Sequence, residues 1–172
     1  MPMTTRAILT LAAALACASF AVQAADGVFV AKLDGAQQMP DAIDTKATGT
    51  LELRPSADGK QIAYKISLAD ITNPSEADVH LGPATANGPL VVKLFPKAGG
   101  AQKKGPFTGV LAEGTITADD LIGPLLGASM DELLEALSTG NAYTNVHTND
   151  GVDPPNSGPG DYRNGEIRGQ IK

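Results

Sequence analysis

The chain has one cysteine, two histidines and no tryptophan in 172 residues. The single thiol is Cys17, so no disulfide can form within the chain, and stability must come from packing and sheet hydrogen bonds. Positive charge is sparse and dispersed. Thirteen basic against nineteen acidic residues give a net charge of −6, and no basic cluster exceeds Lys103-Lys104. Binding to phosphate backbones needs concentrated positive charge, which excludes nucleic acid as an expected partner. Catalytic signatures are missing too: there is no Gly-x-Ser-x-Gly elbow, no His-Glu-x-x-His helix and no glycine-rich phosphate loop. Only one long apolar run exists, and it lies at the N-terminus.

That run has the layout of a secretory signal peptide. Arg6 gives a positive start, Ile8 to Val22 is apolar apart from Thr10 and Ser19, and Val22-Gln23-Ala24 places small residues before a cleavage site. It is too short and too rich in alanine for a good membrane anchor. Cleavage after Ala24 is the expectation. It removes 24 of the 172 residues, leaves a 148-residue domain at 25–172 and takes the charge from −6 to −7. A domain of that size can bury a full core, and it contains no transmembrane segment. The expected location is secreted or periplasmic. Ala14-Leu15-Ala16-Cys17 loosely resembles a lipobox, whose use would give a lipid anchor at Cys17; the absence of leucine at the −3 position favours ordinary cleavage.

Downstream, short alternating segments are separated by Gly, Pro and Asp turns. Strands are expected at Gly27–Leu33, Thr48–Arg54, Gln61–Leu68, Ala77–Leu81, Leu90–Phe95, Phe107–Ile116, Ala142–His147 and Glu166–Ile171. In the third, Ile62, Tyr64, Ile66 and Leu68 share one side, the period-2 pattern of an antiparallel sheet with one buried face. Eight such strands predict an all-β antiparallel sandwich. Between Thr117 and Gly140 the period changes. Two N-cap signals, Thr117 to Asp120 and Ser129 to Glu132, with leucines at helical spacing, predict two short helices before the penultimate strand, the first interrupted by Gly123-Pro124 and Gly127. Their leucines are expected to cover an end of the sandwich.

Several segments, in order, resemble the CHRD domain family: Leu33-Asp-Gly-Ala-Gln-Gln-Met-Pro40, Ala47-Thr-Gly-Thr50, Ala77-Asp-Val-His-Leu-Gly82, Asn87-Gly-Pro-Leu-Val-Val92, Tyr143-Thr-Asn-Val-His-Thr148 and Gly165-Glu-Ile-Arg-Gly-Gln170. The resemblance covers residues 28 to 172. It implies a Greek-key sandwich similar to that of Cu,Zn superoxide dismutase, and little about activity, because fold does not fix function. The expected role is a non-catalytic, extracytoplasmic binding or structural module with an unidentified ligand or protein partner.

Both histidines fall inside these motifs. The family pattern at the first usually reads His-x-His; here it reads Asp78-Val79-His80. Residues two apart on a strand share a face, so Asp78 and His80 project together. The dismutase-like arrangement that the resemblance implies would bring His147 to meet them. Two imidazoles and a carboxylate can hold one copper or zinc ion with open positions, and they can equally form a hydrogen-bonded structural cluster. Dismutase activity is argued against by the count, because two histidines cannot supply a four-histidine copper site and a neighbouring zinc site.

Two polar features complete the reading. The loop Asn149 to Asp161 is rich in carboxylates and amides, a composition that suits either calcium or a run of Asx, Pro and Gly turns. Glu166 and Arg168, two apart on the last strand, are expected to form a structural ion pair or polar ladder with Gln170.

Overall fold

The computed structural model describes residues 27–152, 154 and 158–172. The proposed signal peptide lies outside the described residues. Among those described, eight strands form one antiparallel sheet in the order β5-β4-β7-β8-β1-β2-β3-β6, folded over a single core. They are β1 Phe29–Asp34, β2 Thr48–Pro55, β3 Ile62–Thr72, β4 Pro74–Leu81, β5 Leu90–Phe95, β6 Pro106–Ile116, β7 Ala142–Thr148 and β8 Ile167–Gln170. All eight expected strands are present.

β1, β2 and β3 run as a meander, with β6 added beside β3, and β5-β4-β7-β8 make the other half. The halves join at β1 and β8. Their pairing there is brief: Asp34 lies opposite Arg168, and Val30 and Lys172 exchange backbone hydrogen bonds. At the opposite edges the halves approach again, where the Tyr64 hydroxyl of β3 donates to the Leu94 carbonyl of β5 at 2.9 Å. The result is a nearly closed sandwich. Alternation fills it as expected, with Leu51, Leu53, Ile62, Ile66, Val79, Val92, Leu94, Val146 and Ile167 all buried.

The helical insertion is shorter than the leucine spacing predicts. α1 spans Met130–Ser138 and buries Met130, Leu133 and Leu137 in the core. The first expected helix is instead two 3-10 turns, Ala118–Asp120 and Gly123–Leu125. Gly123, with φ of 59°, cannot continue the preceding turn, and Pro124 supplies no N–H. Leu121 makes a β-bridge to Val92, and the Ile122 N–H donates to the Val91 carbonyl, so this segment also covers the edge of β5. No helix among the described residues is long and apolar enough to cross a membrane.

Candidate metal centre

The alternation that fills the core leaves a second, polar face on β4, β7 and β8. Ala77, Val79, Ala142, Val146 and Ile167 point into the core. Asp78, His80, Tyr143, Asn145, His147 and Arg168 therefore share the other side of the same strands. Most of that side is covered: Asp78, Tyr143, Asn145 and Arg168 are buried, while His80 and His147 keep partial exposure. Segments outside the strands cover it. Gln38 reaches in from the turn after β1 and donates to Asn145 Oδ1 at 2.7 Å, and Asn145 donates to the Asn164 carbonyl. Gly165, with φ of 116°, packs where an added Cβ would collide with the Asn145 amide.

In this layer the three residues singled out from the sequence come together. Antiparallel pairing sets Glu76 opposite His147 and Asp78 opposite Asn145, so His147 lies diagonally across from Asp78. Asp78 Oδ1 is 3.0 Å from His80 Nε2, and Oδ2 is 3.4 Å from His147 Nε2. One ligand atom from each residue falls within 4.8 Å of the others, and this is the one such group of three metal-ligating side chains among the described residues.

The far side of each imidazole is also fixed. His80 Nδ1 lies 2.9 Å from the Gly88 carbonyl oxygen, and His147 Nδ1 lies 2.6 Å from the Arg163 carbonyl oxygen. A carbonyl only accepts, so Nδ1 carries the proton in both rings and donates it. Both Nε2 atoms are left facing one carboxylate. His147 Nε2 is buried and makes no hydrogen bond; its contact with Asp78 has ion-pair distance without hydrogen-bond alignment. An imidazole lone pair cannot face a carboxylate oxygen favourably unless a cation stands between them, and that cation is a proton or a metal ion.

Electrostatics follow the geometry. Burial pushes the Asp78 carboxyl up, but the His147 and His80 imidazoles facing it outweigh burial and hold its pKa below 3.8. Burial pushes His147 down, and it too is overruled: the Asp78 carboxylate, the Arg163 carbonyl and the charge of Glu76 raise its pKa above 6.5.

The sequence profile of the CHRD domain matches residues 29–155, well over half the chain. The chain belongs to the CHRD family. The matched span holds Asp78, His80 and His147; β8, although outside it, pairs with β7 and carries Arg168 into the same polar layer. A comparison with curated proteins gave no match.

One sequence expectation fails at this face of the CHRD domain. Glu166 and Arg168 do not pair. Glu166 precedes β8 and turns to neutral donors, accepting from Thr45 Oγ1 at 2.6 Å, Thr148 Oγ1 at 2.8 Å and the Gly160 N–H at 2.8 Å. Arg168 turns the other way, to Asn87 Oδ1 and to the carbonyls of Pro83 and Ala86. In the 149–161 loop, Asn149 and Asp150 accept from the N–H groups of Gly151 and Val152. These are Asx turns, and no acidic cluster forms there among the described residues; Asp153 and Asn156 lie outside them. Sequence reasoning did not connect Gln38, Gly88, Tyr143 or Asn145 with the histidines. The alternation Tyr143-Thr144-Asn145-Val146-His147 carried that signal for two of them.

Proposed function

We propose that this CHRD domain is an exported, non-catalytic binding module whose ligand is a single copper or zinc ion, held by Asp78, His80 and His147. The observation that carries the reading is the orientation of the two imidazoles. Each gives its Nδ1–H to a backbone carbonyl, the arrangement by which metal-binding histidines are usually fixed in the tautomer that leaves Nε2 free. Two imidazole nitrogens and a carboxylate suit copper or zinc better than calcium or magnesium, which take oxygen donors. The rest of the reading rests on sequence: the apolar N-terminus supports export, and the shortage of histidines argues against dismutase chemistry.

Equilibrium dialysis tests the ligand. Protein stripped with chelator should take up one copper or zinc ion per chain, and His80→Ala/His147→Ala, shown by circular dichroism to be folded, should take up none. Uptake that survives the double substitution, or no uptake by the wild type, contradicts the reading.

A further inference from the structure

We propose that Tyr143 is the positioning residue of this site: it forms the platform that sets the plane of the His80 ring. The inference draws its functional weight from the metal reading above, but its geometry stands apart from any ion. The His80 and Tyr143 rings are stacked, with centroids 5.0 Å apart and planes 11° from parallel. β7 lies between β4 and β8, so His80 reaches Tyr143 from one side and Arg168 from the other. The Arg168 guanidinium carbon is 3.6 Å from the Tyr143 ring centroid. Imidazole, phenol and guanidinium make a three-part stack, and Arg168 and Tyr143 in it are only 1% and 2% exposed.

The stack closes on one residue. Gly88 donates its N–H to the Tyr143 hydroxyl at 3.0 Å and accepts His80 Nδ1–H through its carbonyl at 2.9 Å. Only glycine fits there, because an added Cβ would collide with the Leu81 carbonyl. Arg168 holds the preceding residues of the same loop through Pro83, Ala86 and Asn87. Arg168 has no acidic partner among the described residues, which leaves the Tyr143 ring face and these oxygens to compensate its charge.

Such a platform has a physical purpose. The outer torsion of a histidine is soft and broad, so the backbone alone does not fix the ring plane. A rotated ring would take Nδ1 off Gly88 and Nε2 off Asp78 together. Tyr143 removes that freedom through its face and, through its hydroxyl, anchors the carbonyl that selects the tautomer.

The test uses Tyr143→Phe and Tyr143→Met in the full domain. Three readouts apply: the copper(II) dissociation constant, the copper(II) electron paramagnetic resonance spectrum, and the His80 ring nitrogen shifts of metal-free protein by NMR. Phenylalanine keeps the ring face but loses the hydroxyl bond to Gly88, so it should weaken copper by about 2–10-fold, less than methionine does. Methionine, which fills the volume without a ring face, should weaken copper by about 10–100-fold, broaden the spectrum and average the two His80 nitrogens. A folded methionine variant with wild-type affinity, spectrum and nitrogen shifts overturns the proposal. If that variant does not fold, pentafluorophenylalanine at 143 keeps the shape while inverting the ring quadrupole, and it should displace the same signals; unchanged signals overturn the proposal equally. Should the wild type bind neither copper nor zinc, the metal reading fails, and the His80 nitrogen shifts still decide whether Tyr143 positions the ring.

Discussion

Replacing Asp78 by Asn keeps the shape of the cluster and removes its charge, and the consequence should depend steeply on pH. In metal-free protein His147 titrates above 6.5, so its stabilising contribution is complete below that value and fades as pH rises through the raised pKa. The Asp78 contribution, with a lowered pKa, is complete above 3.8 and is lost as pH falls through it. The pair therefore stabilises the fold most near pH 5. Without the carboxylate, burial keeps His147 neutral in the folded state while the unfolded chain still takes up a proton. At pH 5 that uptake is worth about 2 kcal/mol, from 1.36 kcal/mol per pH unit below an ordinary histidine pKa. Loss of the ion pair itself takes the total to about 2–4 kcal/mol, below the largest values for broken buried pairs because the histidine can shed its proton. At pH 8 the unfolded chain no longer takes up that proton, and an amide can donate to Nε2, so the cost should fall below about 1 kcal/mol. For a domain of this size that is a melting-temperature drop of about 5–15 °C at pH 5 and at most about 4 °C at pH 8. Thermal melts by circular dichroism in chelator, at both pH values, measure it. An equal drop at both, or a larger one at pH 8, would refute the argument.

Other outcomes follow from the same structure. Glu166→Gln aims an amide N–H at a pocket of donors (Thr45, Thr148 and Gly160) and should cost about 1–3 kcal/mol in urea unfolding, with no effect on metal stoichiometry. Chelation of the wild type should lower its melting temperature by less than about 10 °C, and chelator should not move the melt of His80→Ala/His147→Ala at all, because the aliphatic core is complete without an ion. A fall of tens of degrees in the wild type alone would make the metal structural. Mass spectrometry of protein isolated from its native host should give an N-terminus at Ala25; a lipid-modified Cys17 or a retained Met1 would count against the proposed cleavage.

Strand positions were legible because Leu51, Leu53 and Ile62 to Leu68 alternate, and a one-residue slip would turn every such side chain to the wrong face. Asp78 and His80 could be placed on one face by the same rule, and His147 joined them through the order of the family motifs. The covering of that face was not legible. Gly88 meets His80 because the β4–β5 connection folds back, Gln38 arrives from 107 residues away from Asn145, and Arg163 meets His147 through its backbone carbonyl. Such contacts depend on loop paths, which no local period encodes. The missing Glu166–Arg168 pair teaches the same lesson: a shared face permits an ion pair, but three loops and β7 had nearer partners to offer.

Crystals of the mature domain grown without chelator and soaked in copper or zinc, with diffraction recorded on either side of the metal absorption edge, give the most direct test. One anomalous peak per chain is expected within coordination distance of His80 Nε2, His147 Nε2 and the Asp78 carboxylate, with Nδ1 of each histidine still donating to Gly88 and Arg163. Anomalous density confined to the 149–161 loop or the chain terminus, or a cluster that keeps its protons and stays without metal in the soak, would contradict it.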